Sequence, residues 1–477
     1  MQGLTEPAST AAGDALEVCG LVADRLRGAG LWGVPGDAAR EDRTHLISPE
    51  PFPLDSAAFA VLQDLGPALL AFYSAANDLY LKAGPEWFRE YLDIGKSDDL
   101  VRHSRMNYQK RALPRVIRPD ILLTPDGPII TELDSVPGGI GHLDCLSSAY
   151  EQARFDLVGS PRGMRDGFAN MIRDAAGLDD PVCAIVVSEE SSDYIPEMIY
   201  LARELRVTGL RAHVVRPREV TFAEDGLTIE PERERLRVDV VYRFFELFDL
   251  ANIPKSELLA YAAKHRIVTV TPPYKPFLEE KLLLALLHHE ALEDSWRGSI
   301  GDTGFDLLKR TVAPTWILDR RPVPPHAELS GFRWRGRPVR DWRAIGEGTQ
   351  KDRRLVIKPS GFSPLAWGSR GVKVGHDMSR EDWAQAVEDA LTSFDSTPHV
   401  LQPFHDTSLL GVRYYDESAG DVREMPARVR LCPYYFVADG RAMLAGVLAT
   451  ACPKDKKLIH GMLDAVMAPC RVVRHDA

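Results

Sequence analysis

The sequence predicts an α+β protein with a small α/β unit in its middle. Three observations predict it. Two β-rich runs, "RVIRPDILLT" (115–124) and "PIITELD" (128–134), flank the turn "PDG", which reads as a β-hairpin. From about 180 to 270, buried strands alternate with an amphipathic helix, the texture of a small open parallel sheet flanked by helices. From 301 onward, helices and strands are mixed without that alternation. The 477 residues allow roughly three domains at about 150 each. The changes of texture place them at 1–175, a helical region plus the hairpin, 176–270, the α/β unit, and 271–477.

Residues 1–50 are rich in Ala and Gly and read as partly helical or loose. "LDSAAFAVLQDLGPALLAFYSAANDLYLKAG" (54–84) reads as a helix capped by Asp55 or Ser56, with a break expected at Gly66-Pro67. "GPEWFREYLDIG" (84–95) is a short helix between glycines. A three-residue hairpin loop then pairs Thr124 with Pro128, Leu122 with Ile130, Asp120 with Glu132 and Arg118 with Asp134. The opposite face carries Ile117, Ile121, Leu123, Ile129, Thr131 and Leu133, a set suited to a core. The second strand breaks at Pro137-Gly138-Gly139, after which "LDCLSSAYEQARF" is helical again.

In the α/β unit, "PVCAIVVSEE", "LRAHVVRP" and "VDVVYRFFE" read as strands and "YIPEMIYLARELRVTG" as a helix. "HRIVTVTPP" (265–273) leads out, and "FLEEKLLLALLHHEALEDSW" (277–296) reads as one largely buried helix. In the last region "RRLVIKPSG" (353–361) precedes the Gly-rich "WGSRGVKVG" (367–375), and a helix opens at Ser379–Glu381. "HVLQPF" (399–404), "ARVRLCPYYFVADG" (427–440) and "RAMLAGVLATA" (441–451) are strands, the last two joined by a tight turn at "VADGRA".

Composition excludes several classes. Lys plus Arg is 58 against 69 Asp plus Glu, a net charge of −11, which argues against a general nucleic-acid binder. Six scattered cysteines (19, 145, 183, 432, 452, 470) form no CxxC pair. They suggest neither a zinc site nor a disulfide framework and fit reduced thiols in a cytoplasmic protein. The N-terminal "MQGLTEPASTAAGDALEVCG" lacks the basic start and apolar core of a signal peptide. Apolar runs such as "LLLALL" (282–287) fall short of the roughly 18 residues of a membrane span, so no membrane partner is expected.

The hairpin raises a chemical question. Asp120 and Glu132 face each other across the ladder, and Asp134 lies on the same face. Like charges opposite one another destabilise a sheet. A divalent cation resolves this, since Mg²⁺ is held by one or two carboxylates together with phosphate oxygens and waters. Asp120, Glu132 and Asp134 are therefore candidate metal ligands, with Arg118 as a neighbouring charge. The plainer reading is a solvated acidic face with an Arg118–Asp134 ion pair. A second segment, "LVIKPSGFSPLAWGSRGVKV", ends a strand in Lys358 and continues into a loop with Gly361, Gly368 and Gly371. Glycines let backbone amides approach a phosphate and a lysine adds a point charge. Neither GxxxxGK[ST] nor GxGxxG is present there.

These parts resemble the circularly permuted ATP-grasp superfamily, including its glutathionylspermidine synthetase-like branch. Asp120 followed by "ELDSVPG" is similar to that superfamily's magnesium motif, with Asp134 where Asn is usual. It precedes "VIKPSG", similar to the phosphate-binding lysine strand, by more than 200 residues, the order of the permuted branch. The resemblance implies that Lys281 and Lys358 hold ATP phosphates, that Gly368, Ser369 and Gly371 belong to a loop over them, that Gln402 opens the adenine hinge, and that Arg430 reaches the phosphates. Region 180–270 takes the place of the pre-ATP-grasp domain. The loop after Lys358 lacks the Arg-Glu-Gly run of the glutathionylspermidine branch. The implied activity is ATP- and Mg²⁺-dependent ligation of a small-molecule carboxylate to an amine through an acylphosphate, with Arg118 stabilising the transferred charge. Alternatives are a phosphotransferase and a non-catalytic nucleotide-binding protein.

The remaining candidates are single residues. "HHE" (288–290) is not HExxH and reads as core or surface. Cys145 reads as a buried helix cysteine. His142, just after the glycines, and Arg243, at the end of a strand, are candidate substrate contacts, Arg243 for a carboxylate.

Overall fold

The computed structural model describes residues 12–32, 45–134, 136–159, 162–224, 226–321, 331–366 and 370–473. Its first part comprises α1 (Ala12–Gly28), β1 (Phe52–Asp55), α2 (Ser56–Asp78) and the hairpin β2 (Val116–Thr124) and β3 (Gly127–Asp134), then α3 (Ile140–Gln152) and α4 (Gly163–Ala176). The middle part is β4 (Val182–Val187), α5 (Ile195–Val207), β5 (Arg211–Val215), β6 (Val240–Phe244), α6 (Ser256–Lys264) and β7 (Thr269–Thr271). The last part contains β8 (Trp316–Ile317), β9 (Leu355–Pro359), β10 (Lys373–Val374), α7 (Arg380–Thr392) and β11 (His399–Pro403). It ends with β12 (Leu409–Asp416), β13 (Asp421–Ala438), β14 (Arg441–Pro453) and β15 (Val466–Val473).

Three sheets organise the molecule, the mixed α+β architecture expected. The largest runs β1-β15-β14-β13-β2-β3, with β12 also paired to β13. The middle unit is a parallel sheet in the order β7-β6-β4-β5. The third, antiparallel, runs β8-β11-β9-β10. One core joins Leu62, Leu69 and Phe72 of α2 to Ile117, Ile121 and Ile130 of the hairpin and to the 282–287 leucines. A second packs α1, α3, α4 and α5 against β4 and β6 on one side and Tyr434 and Phe436 of β13 on the other. The helices after the Pro-Gly-Gly break thus couple the parallel sheet to the large one.

Local rules explain most elements. Asp55 caps α2, its Oδ1 accepting from Ala58 N at 2.7 Å. Ser379 caps α7, accepting from Asp382 N at 3.0 Å. The β13–β14 turn places Asp439 at φ 50° and Gly440 at φ 69°, the two left-handed residues that a tight hairpin turn requires.

Three expectations are corrected. Helix α2 does not break at Gly66-Pro67. Its buried face carries the helix on through the proline, and Gly66 permits a close approach to β13, where a Cβ would stand 2.7 Å from Tyr435 Cδ1. By length and composition alone the helical run Ser56–Ala83 is long and apolar enough to cross a membrane, although the fold packs Leu62, Leu65, Leu69, Phe72 and Leu79 into the core. The helix expected at 277–296 is broken. It keeps only Leu282–Leu287 and a separate Glu293–Ile300, because Glu279, Glu280 and Lys281 each turn toward a different ion-pair partner. The hairpin loop is also one residue shorter than expected: Thr124 pairs with Gly127 and Ile121 with Ile130. The register recovers through a bulge, so that Asp120 still faces Glu132 and Arg118 still faces Asp134. The shift turns Ile130 into the core, fully buried.

Candidate active site

The hairpin brings its acids together with cations from three other elements. Arg118 Nε lies 3.1 Å from Asp120 Oδ1 and its Nη2 2.8 Å from Asp134 Oδ2. Strand β13 lies beside β2, with Arg430 opposite Leu122. Its alternate residues 430, 432 and 434 share one face. Arg430 Nη1 reaches Asp120 Oδ2 at 2.7 Å and Cys432 Sγ donates to Asp120 Oδ1 at 3.4 Å. Tyr434 Oη donates to Gly138 O at 2.6 Å. From the broken 277–296 segment, Lys281 Nζ reaches Glu132 Oε1 at 2.7 Å.

The bulge has a direct consequence. It leaves Thr131 as the extra residue of β3, and its carbonyl accepts from Lys358 Nζ at 3.2 Å and Gln402 Nε2 at 3.4 Å. Gln402 also donates to Thr315 Oγ1 at 3.0 Å. Lys358 and Gln402 lie on β9 and β11, paired antiparallel with Val356 opposite Gln402. Bulges commonly re-aim groups beside functional sites; this one joins the third sheet to the acid hairpin.

Lys358 differs from the other cations. Among the described residues no carboxylate pairs with it, and Thr131 O is its hydrogen-bond acceptor. Burial of its ammonium and the nearby Lys281 lower its pKa to about 8, against the opposing pull of Glu132. Such a group needs an anion. Asp120 shows the reverse balance: burial pushes its pKa up, but Arg118 and Arg430 outweigh it and hold the carboxyl below the usual range. Asp134 is pushed up by burial, with Asp120 and Glu132 adding to it and Arg118 opposing. Arg430 Nε is buried with no hydrogen-bond partner.

A tight loop frames the cluster. Glu280 receives Lys96 Nζ, Ser360 Oγ and Gly361 N, pinning the segment that follows Lys358. A Cβ on Gly361 would stand 1.9 Å from Glu279 O, and one on Gly371 2.6 Å from Pro359 Cγ. Gly371 N donates to Leu365 O at 2.9 Å. Gly368 and Ser369 lie outside the described residues.

Two candidates are not brought into the cluster. His142 packs its ring on His45, centroids 5.0 Å apart, and burial with that neighbour lowers its pKa to about 3. On α3 the amides of Gly139 and Gly141 face Glu197, and His142 turns toward the N-terminal segment instead. Arg243 is fully buried. Its guanidinium donates to Pro272 O, Phe245 O and Glu279, so it braces Glu279 next to Lys281 rather than offering a free strand-end cation. Among the described residues no three His, Cys, Asp or Glu side chains are gathered as a metal-ligand set: Asp120, Glu132 and Asp134 each pair with a cation.

Sequence reasoning missed Glu197, a buried carboxylate on α5. Its Oε1 accepts from Gly139 N at 2.8 Å and Gly141 N at 3.1 Å, fixing the Pro-Gly-Gly loop from the parallel-sheet side while Tyr434 and Arg118 hold the Gly138 carbonyl. Burial pushes its pKa up to about 7 against those amide bonds. The native state therefore binds more protons than the unfolded chain between about 4.5 and 7, and this group's contribution to stability falls as pH rises through that window. Glu197→Gln keeps the acceptor and loses the charge. Its unfolding free energy relative to wild type is expected to improve by up to about 3 kcal/mol between pH 5 and pH 8, as read by denaturant titration. Glu246 was missed too: burial and Glu279 raise its pKa.

No family model matches the chain, and no curated protein matches its sequence. Among solved structures it is similar to a putative gamma-glutamylcysteine synthetase from Methylobacillus flagellatus KT, with 11% identity, a TM-score of 0.42 and coverage of 87% of this chain and 89% of that one. It is similar also to a glutathione synthetase-like effector (GSS30) from Globodera pallida in its apo form, with 12% identity, a TM-score of 0.59 and coverage of 98% of both chains. The chain therefore shares, over almost its whole length, the fold of a glutathione synthetase-like protein.

Proposed function

We propose that this chain is an ATP- and Mg²⁺-dependent ligase of the permuted ATP-grasp kind, joining a small-molecule carboxylate to an amine. One observation carries the reading: Lys358, without an acid partner, is linked through the Thr131 bulge to a hairpin bearing three carboxylates. Phosphate fits Lys358 and the orphaned Arg430 Nε. The partly exposed Glu132 and Asp134 suit a phosphate-bound Mg²⁺, which needs only one or two carboxylates. The shared fold with a protein named for its likeness to glutathione synthetase supports the same reading.

The residues then take these roles. Lys358 and Lys281 bind the transferring phosphates. Lys281 exchanges Glu132 for phosphate, leaving Glu132 free as a metal ligand. Asp120, held by Arg118, Arg430 and Cys432, fixes the positions of both arginines. Arg118 stabilises charge on the γ-phosphoryl group as the substrate carboxylate attacks it, the bond to the β-phosphate breaks and ADP leaves, giving an acylphosphate. Mg²⁺, when bound, neutralises the phosphate oxygens. An amine displaces phosphate, and its proton passes to a neighbouring carboxylate or to water. Nothing here requires a covalent enzyme intermediate.

Because Lys281 and Glu132 neutralise each other without nucleotide, ATP and Mg²⁺ should bind together. Chelating Mg²⁺ is expected to weaken ATP binding at least about tenfold, measured by calorimetry. The activity itself is tested with Mg-ATP and a panel of amino acids and polyamines. Release of ADP and phosphate in step with an amide product supports ligation; a stable phosphorylated product, or no ADP with any substrate, contradicts it.

A further inference from the structure

A cleft of 410 Å³ opens on the parallel sheet. It is built by the segments that follow the carboxyl ends of three adjacent strands: Ser188 to Glu190 after β4, Arg216 to Arg218 after β5, and Asp249 to Pro254 after β6. The order β7-β6-β4-β5 makes this a switch point. From β4 the chain goes outward to β5, then returns to the other side of β4 for β6. Segments that diverge at the carboxyl ends of parallel strands leave a crevice there, the usual ligand position in open α/β sheets. The volume lies within the range of small-molecule sites.

The charges of the lining narrow the ligand class. Glu189 is paired with Arg216 at 3.0 Å, and Glu190 with Arg370 of the glycine-rich segment at 3.2 Å. Arg216 is fixed further by donating to Ser188 O at 2.8 Å. Arg218 and Asp249 remain, each without an ion-pair partner among the described residues. The Arg218 backbone is anchored, since its carbonyl accepts from Lys255 Nζ at 2.7 Å. Among the described residues, the Asp249 side chain accepts from Asn252 Nδ2, at 2.8 Å. A simple anion would satisfy Arg218 and oppose Asp249; a simple cation would do the reverse. A molecule carrying one carboxylate and one ammonium satisfies both.

We propose that this cleft binds a small zwitterion, a free α-amino acid or short peptide, with its carboxylate on Arg218 and its ammonium toward Asp249. Pro217, Ile253 and Pro254 supply apolar walls for a short side chain. The proposal does not rest on ATP-dependent chemistry at the hairpin.

The test is calorimetric titration of the full chain with the common free amino acids and triglycine, each up to about 10 mM. At least one should bind. Its N-acetylated and C-amidated derivatives, and the variants Arg218→Ala and Asp249→Ala, should each weaken binding at least about tenfold. Mg-ATP affinity, measured on the same samples, should be unchanged in both variants, which separates failure of this proposal from failure of the ligase reading. Absence of binding by every probe, retention of affinity by a singly charged derivative, or survival of binding in both variants would overturn it.

Discussion

Replacing Asp120 by Asn is expected to lower turnover by about a thousandfold or more while leaving the secondary structure intact. The size follows from what Asp120 organises. Its carboxylate holds Arg118 on one oxygen and Arg430 on the other, with Cys432 donating to the first. Loss of one charged group preorganised toward a transferring phosphate costs on the order of a hundred- to a thousandfold, and here two arginines lose their common anchor. The amide keeps an acceptor but no charge, so Arg118 is left with Asp134, and Arg430 loses the carboxylate it pairs with. Removing one member of a buried ion pair costs about 3 kcal/mol, which should appear as a lower melting temperature with an unchanged far-ultraviolet circular dichroism spectrum. Near-wild-type turnover in this variant would remove Asp120 from the site.

Replacing Lys358 by Met should act in the opposite sense on stability. Methionine fills a similar volume without a charge to desolvate. The variant should be as stable as wild type or more so by about 1 kcal/mol. Mg-ATP affinity should nevertheless fall about a hundredfold, the worth of one charge-assisted phosphate contact. The pH dependence gives a second signature. With a pKa near 8 in the free protein, Lys358 loses its proton as pH rises through 8, and nucleotide binding must then recover it. Wild-type affinity should therefore weaken between pH 7 and pH 9, and that slope should flatten in the variant. The stability sign is fixed as well: with the folded pKa below the unfolded value, the unfolded chain binds the extra proton above pH 8. The penalty of burying this lysine is thus present below pH 8 and relieved above it.

Much of this site could be read from sequence because it rests on short-range rules. Alternation along β2 and β3 placed Asp120 against Glu132, and the structure keeps that pair. Patterning also revealed the parallel sheet, whose strands are continuously buried. The bulge at Thr131 was not legible, because a two-residue loop followed by a bulge and a three-residue loop without one give the same pairing of the acids. Glu197 was missed because its partners, the amides of Gly139 and Gly141, lie more than fifty residues away in the chain. The break in 277–296 was hidden by strong helical periodicity; it follows from tertiary ion pairs made by Glu279, Glu280 and Lys281, which override local propensity. Arg243 was correctly placed on a strand, but its partners, a turn carbonyl and Glu279, could not be seen from its neighbours.

The central claim is that the acid hairpin and the lysine strand form one phosphate-and-metal site although they are far apart in sequence. A double-mutant cycle on Mg-ATP binding tests it most directly. Calorimetric dissociation constants for wild type, Asp120→Asn, Lys358→Met and the double variant give the coupling between the two positions. Residues serving one charged cluster should couple by at least about 1 kcal/mol, whereas independent positions add to within about 0.5 kcal/mol. Non-additive losses are the predicted result; additive losses, or full Mg-ATP affinity in either single variant, would contradict it.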